Sequence, residues 1–299
     1  MTWPRAPWRH TTGIWALVGC EVRTSEPLRF IDWITIGYLA LTAVIAVARL
    51  EIRPRAGWVL VSIVLILSLI LLLRGPQVGR TGRMLREIYP ILMLPALYGG
   101  LDLLNGFDIP VRDLTVRGWE QMIFGGQISR TWWQAFPSQF WSTVLHGAYF
   151  SFYLIIPLPP IYFLAKGRRD HARTAVTMIA ATFLVCYVIF LLFPVAGPYY
   201  EFPHPEGPFV ENWAARLVYS TLARGSSYGA AFPSSHVAAT AAAVLATWAG
   251  SRRLALVLAV PTILLTVGVV YCQMHYAVDV LAGAVVPWLL FPIVRRTAS

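Results

Sequence analysis

The sequence predicts an all-α integral membrane protein with about eight transmembrane helices, and three observations carry that prediction. Hydrophobic residues make up 57% of the 299 positions and charged residues 13%, against about 25% charged in a soluble domain; the mean hydropathy is +0.62. The apolar residues gather into stretches long enough to cross a bilayer core of about 30 Å as helices, which takes roughly 17 to 25 residues. The arginines fall in the links between those stretches, unequally on alternate links. Abundant aromatics and the lack of a short repeat exclude disorder, collagen and coiled coil.

Taken in order, the stretches that qualify are residues 30–50, 57–73, 88–104, 141–165, 174–195, 233–249, 254–272 and 276–294. The first is not a cleavable signal, because it is too long and lacks a small-residue cleavage site. The link between the last two is too short for a soluble domain, which puts Met274 and His275 at a membrane surface. Residues 105–140 differ: Trp119, Phe124, Trp132, Trp133 and Phe136 alternate with Arg112, Asp113, Arg117 and Glu120, a pattern for amphipathic helices lying in the interface. Cys20, Cys186 and Cys272 are scattered, without a CxxC pair, and offer neither a metal cage nor a disulfide framework.

With both termini in the cytoplasm, 16 of the 24 Arg and Lys residues fall on the cytoplasmic side, the arrangement that the positive-inside rule favours. The net charge of +10 is thus a topology signal, and no basic run is long enough for a nucleic-acid arm. The segments 105–140 and 196–232 and the turn at Met274 and His275 then lie on the extracytoplasmic face.

Three short patterns on that face carry chemistry. In Tyr271-Cys-Gln-Met-His-Tyr-Ala-Val-Asp279, His275 and Asp279 stand four apart, on one face of a helix that starts at about His275. The carboxylate can take the N–H of one ring nitrogen and leave the other as base or nucleophile; a structural pair that pins the helix start is the alternative. In Tyr228-Gly-Ala-Ala-Phe-Pro-Ser-Ser-His-Val237, Pro233 in the first turn and capping serines open a helix. Its free N–H groups suit a phosphate, with His236 beside it; capping alone is the plainer reading. In Phe193-Pro-Val-Ala-Gly-Pro-Tyr-Tyr200, two prolines and a glycine end the fifth stretch.

Together, in this order and spacing, the three patterns resemble the type 2 phosphatidic acid phosphatase superfamily of membrane lipid phosphatases and phosphotransferases. The resemblance is strong over residues 193–283 and extends to 88–165 only in layout. It implies a six-helix catalytic core at 88–299, with interfacial helices at 105–140, preceded by a cytoplasmic tail and two additional helices at 1–87. It also implies roles. His275 attacks phosphorus and becomes a phosphohistidine, Asp279 orients it, and His236 protonates the leaving alcohol and then deprotonates the acceptor. Ser234, Ser235 and neighbouring N–H groups hold the phosphoryl oxygens. No cofactor and no metal are expected.

Two departures refine the resemblance. Lipid phosphatases of the superfamily carry an Arg where this chain has Tyr199, and another six residues before the third-motif histidine, where this chain has Val269. A phosphomonoester dianion needs such cations more than a phosphodiester does. The pattern Phe-Pro-x-Ala-x-Pro-x-Tyr with Phe-Pro-Ser-x-His and His-Tyr-x-x-Asp is closer to the inositol phosphorylceramide synthase branch. Arg224, Arg216 and Arg130 are the cations that could substitute, with interfacial anchoring as the alternative; Arg224 is the candidate phosphate ligand. Further candidate substrate contacts are Tyr199, Tyr200, Tyr228, His146, Tyr149 and Asp102, and Glu120, Trp132 and Trp133 are candidates for lipid entry. The expected activity is transfer of a phosphorylated head group from a phospholipid donor to a lipid alcohol through a phosphohistidine. Hydrolysis of phosphatidate or a polyprenyl diphosphate, with water as acceptor, is the alternative; a transporter or scaffold is the remaining one. The Arg-rich, Lys-poor composition fits a bacterial inner or plasma membrane.

Overall fold

A computed structural model describes residues 25–75 and 78–297. Cys20 and the tail arginines Arg5, Arg9 and Arg23 lie outside the described residues. The elements are α1 (Phe30–Arg49), a 3-10 turn (Pro54–Ala56), α2 (Gly57–Leu73), α3 (Arg80–Leu92), α4 (Leu94–Leu104), α5 (Asp113–Phe124), α6 (Ile128–Ala135), α7 (Gln139–Phe150), α8 (Phe152–Ile155) and α9 (Leu158–Ala165). They continue with α10 (Arg169–Leu192), α11 (Pro198–Glu201), a second 3-10 turn (Gly207–Phe209), α12 (Trp213–Gly225), α13 (Ser235–Trp248), α14 (Arg252–Tyr271) and α15 (Ala277–Thr297). Among the described residues there is no strand, only one isolated parallel bridge between Val195 and Ala230. The all-α expectation holds, and helices α5 and α6 occupy the segment read as interfacial.

Local sequence explains where the helices start. Ser138, Asn212, Ser234 and Ser251 cap α7, α12, α13 and α14, each side-chain oxygen accepting a backbone N–H of the first turn. Proline explains where they break. Pro157, Pro159 and Pro160 interrupt the fourth apolar stretch, so that Gln139–Ile155 and Leu158–Ala165 meet at a 42° bend.

The expected eight spans are not all found. Six helices among the described residues are long and apolar enough to cross a membrane, or seven if the bent pair counts as one. The missing one is α13, which has 14 residues. Helix α13 begins only after its serine cap, and it is walled in by protein, packing on α10, α14 and α15. Its face is built of small residues, with Ala238, Ala239, Ala242, Ala243 and Ala246 all buried, which lets neighbouring backbones come close. Helix α10 is the hub of the bundle. In its apolar window 78% of the residues are buried inside the protein, against 33% to 44% in the other five spans. The apolar side chains left outside, such as Val64, Leu65, Leu71 and Leu72 on α2, form the kind of surface that lipid tails cover.

Helix α1 is bolted to the rest by buried charge. Asp32 accepts hydrogen bonds from Arg86 and from the Tyr89 hydroxyl, and Arg86 and Asp32 are both essentially inaccessible. Beside them Glu87 is held by Arg29 at 3.0 Å and by Arg173 of α10 at 2.7 Å. An Arg86→Met variant strands Asp32 as an uncompensated buried charge. It is expected to destabilise the fold by about 3–5 kcal/mol, read as a lowered thermal unfolding midpoint in detergent, and the Asp32→Asn/Arg86→Met double variant is expected to recover part of that loss.

Candidate active site

The three sequence patterns converge because backbone contacts tie them pairwise. Where α10 ends, Val195 donates to the Gly229 carbonyl at 3.1 Å and accepts from the Ala231 N–H at 2.9 Å, which joins the first pattern to the second. Gly197 follows with φ +92, and a Cβ there would lie 2.8 Å from the Cβ of Ala231, so only glycine fits. The second pattern is joined to the third by the Ser234 N–H, which donates to the Asp279 carbonyl at 2.9 Å. Gly283 makes that approach possible, since a Cβ there would meet the Ser234 carbonyl oxygen at 2.5 Å.

His275 sits in the turn before α15, not on its first helical position. The turn is locked by the Val269 carbonyl, which accepts the N–H groups of both Met274 and His275 at 2.9 and 2.8 Å. From there His275 Nδ1 lies 3.3 Å from Asp279 Oδ2, and the same oxygen accepts the Tyr276 N–H at 2.8 Å. Burial pushes the His275 imidazole down to about 4, with the Ala231 backbone pulling the other way. The ring is therefore neutral at physiological pH, the form a nucleophile needs. Asp279 Oδ1 is buried and has no hydrogen-bond partner among the described residues.

His236, one residue into α13, faces His275 with 5.9 Å between ring centroids. Its ring is held between Tyr149, stacked at 4.7 Å, and Phe152, at 4.5 Å; its Nδ1 is likewise unpartnered. Ser234 is the cap itself, its hydroxyl taking the Val237 N–H at 3.5 Å, so Pro233 precedes the helix and does not sit in its first turn. Ser235 is buried at the first position of α13. The backbone N–H groups of Ser235 and His236 belong to the set that a helix start leaves without intrahelical partners. His275, Asp279, His236 and the N-terminus of α13 thus share one locus.

The other expected residues separate. Tyr149 joins His236. His146, one turn away and fully buried, turns instead to the Ser142 carbonyl at 2.8 Å and Cys272 Sγ at 3.4 Å. Tyr200 and Tyr228 pack on one another at 5.3 Å with Phe107 against Tyr228 at 4.3 Å, and Tyr199 stacks on His204 at 4.5 Å. Trp132 packs on Tyr271, and Trp133 donates its indole N–H to Gln273 at 2.9 Å. Arg216 and Arg224 are exposed on α12, and Asp102 is exposed on α4, where its carbonyl accepts from Arg53. None of these last three has a hydrogen bond to the two histidines or Asp279. Arg130 lies over the Phe202 ring at 5.6 Å, as Arg117 does at 5.3 Å. Val269, in the place of the absent arginine, is fully buried. No group of three or more His, Cys, Asp and Glu that could hold a metal occurs among the described residues.

Residues 123–293 match the PAP2 superfamily, more than half of the chain and all three patterns. The chain belongs to the PAP2 superfamily. Members of this superfamily are phosphatases and phosphotransferases. No curated protein and no solved structure matches the chain.

Sequence reasoning gave no role to Asp113, and it left Glu120 as a lipid-entry candidate. Both are buried on α5, ahead of the matched segment. Burial pushes the Glu120 carboxyl up to about 7 from 4.5, Asp279 adds to the rise, and the N–H groups of Ser129, Ala277 and Ile128 oppose it. A carboxyl raised on folding stays protonated in the folded state over a range where the unfolded chain ionises. Its favourable contribution is complete at acid pH and is lost as pH rises through about 7. Glu120→Gln is therefore expected to unfold like the unvaried protein at about pH 5 but at a higher temperature at about pH 8. Thermal unfolding in detergent at the two pH values checks this.

Proposed function

We propose that this PAP2 protein is a membrane lipid phosphotransferase that moves a phosphorylated head group from a phospholipid to a lipid alcohol. The observation that carries the reading is the neutral His275, backed by Asp279 and facing His236 across 5.9 Å at the start of α13. In the first half-reaction a His275 ring nitrogen bonds to phosphorus while the bond from phosphorus to the diacylglycerol oxygen breaks. His236, made cationic by the bound phosphate, gives its proton to that oxygen. In the second, His236 takes the proton of the acceptor hydroxyl, whose oxygen bonds to phosphorus as the P–N bond breaks. Asp279 stabilises the charge that His275 acquires, and Ser235 with the α13 N–H groups holds the phosphoryl oxygens. No step calls for a metal or cofactor.

Two features support a phosphodiester donor, as in the inositol phosphorylceramide synthase branch, over a phosphomonoester. The positions of the two absent arginines are filled by the buried Val269 and by Tyr199 stacked on His204, and neither neutralises a dianion. The aromatic groups of Tyr199, Tyr200 and Tyr228 beside the first pattern are read as head-group contacts, with Arg224 at the solvent side. Cytoplasmic termini and an extracytoplasmic active site follow from the arginine distribution, with 1–87 an addition to a core at 88–299.

The test is transfer of label from head-group-labelled phosphatidylinositol in mixed micelles, with and without ceramide or diacylglycerol. Acceptor-dependent label in a new lipid is the expected result. Free phosphate released from phosphatidate or a polyprenyl diphosphate, without transfer, makes the protein a phosphatase and overturns the reading.

A further inference from the structure

Helix α5 has only three buried residues, Asp113, Val116 and Glu120, while Leu114 and Met122 on its other side are 82% and 77% exposed. A helix at a membrane surface normally docks through apolar residues, because burying a carboxylate costs several kcal/mol unless its partners compensate. Asp113, 2% exposed, is fully partnered, and its partners all belong to the active-site patterns. Its Oδ2 accepts the Ala196 N–H at 2.8 Å, and its Oδ1 accepts the Gly197 N–H at 2.8 Å and the Tyr276 hydroxyl at 3.0 Å. The Arg112 N–H adds a fourth link, to the Pro194 carbonyl at 2.8 Å.

We propose that Asp113, with the Tyr276 hydroxyl, is a positioning residue that clamps the proline-rich loop to the residue following the nucleophile. The proposal rests on the phosphotransfer reading above. Ala196 and Gly197 carry the loop past Ala231, and Tyr276 is bonded directly to His275, so one carboxylate sets the distance between the substrate-side loop and the attacking imidazole. Charge-assisted bonds from two main-chain N–H groups and a phenol are short and directional. An apolar residue at this place could dock α5 but could not fix the register of those groups. Val116 is buried between the two carboxylates on the same face, and Glu120, two turns along, accepts the Ser129 N–H of α6 at 3.3 Å beside the Ala277 N–H that opens α15. Helix α5 thereby holds both sides of the site from one rigid element.

Tyr276→Phe removes one hydroxyl and leaves the fold intact. Asp113→Asn keeps the shape but turns an NH2 group toward one of the donors. Misplacing reacting groups by about an ångström costs up to about 100-fold, so Asp113→Asn is expected to lower kcat by about 10- to 100-fold and Tyr276→Phe by about 3- to 10-fold. KM for the phospholipid should change less than twofold or so. The double variant should be no slower than Asp113→Asn alone, because both act through one clamp. Hydrogen exchange at the Ala196 and Gly197 amides should quicken in Asp113→Asn. Wild-type kcat in both single variants overturns the proposal, and so does a fall that tracks lost folded protein. An unvaried enzyme that turns over no lipid phosphate defeats the phosphotransfer reading itself, a result distinct from active enzyme with indifferent variants.

Discussion

His275→Ala is expected to lose lipid turnover by at least about 1,000-fold while remaining folded. The two other histidines near His275 among the described residues are engaged elsewhere: His146 is tied to Ser142 and Cys272, and His236 is pinned between Tyr149 and Phe152. Structurally the loss is small, because the ring's side-chain partner is Asp279, and Asp279 keeps the Tyr276 N–H. Asp279→Asn retains the outline of the pair but cannot compensate an imidazolium, and a fall of about 100- to 10,000-fold is expected. Turnover measured beside the helical circular dichroism signal of each variant checks both. Turnover unchanged in His275→Ala would remove the nucleophile from the account.

His236→Gln is expected to fail selectively. A phospholipid leaves as an alkoxide, which needs a proton in the transition state, and a positioned acid contributes about 100- to 10,000-fold. A nitrophenyl phosphodiester leaves without one. Hydrolysis of the nitrophenyl ester should therefore drop by less than about tenfold in His236→Gln, while turnover of phosphatidylinositol falls by at least about 100-fold. Equal losses on both substrates would assign His236 to binding and not to proton transfer. The stacked Tyr149 acts in this account as the surface that holds the His236 ring facing His275, tilted 59° to it.

Much of this was legible in the chain. Hydropathy found the spans, and the alternation of aromatic and charged residues found α5 and α6. The proline-serine-histidine and histidine-aspartate patterns found the residues that the structure brings together. What hydropathy cannot distinguish is an apolar residue facing lipid from one facing protein. For that reason α13, a 14-residue helix lined with alanine, reads as a full span when Pro233 and Ser234 are counted with it. The bend at Pro157 was visible as proline, but its 42° angle depends on neighbouring helices. Asp113 escaped because its partners lie 83, 84 and 163 residues away, and an acidic residue in an amphipathic segment reads as solvated until the buried face is known. The same holds for the pairing of Asp32 with Arg86, which are 54 residues apart.

The central claim is that phosphorus passes through His275. It is tested most directly by quenching the enzyme with phosphate-labelled phosphatidylinositol in the absence of acceptor, digesting it, and locating the label. The account expects an acid-labile label on the peptide that contains His275, absent from His275→Ala and discharged when ceramide or diacylglycerol is added before the quench. Full turnover with no labelled peptide, or a label on another residue, would contradict it.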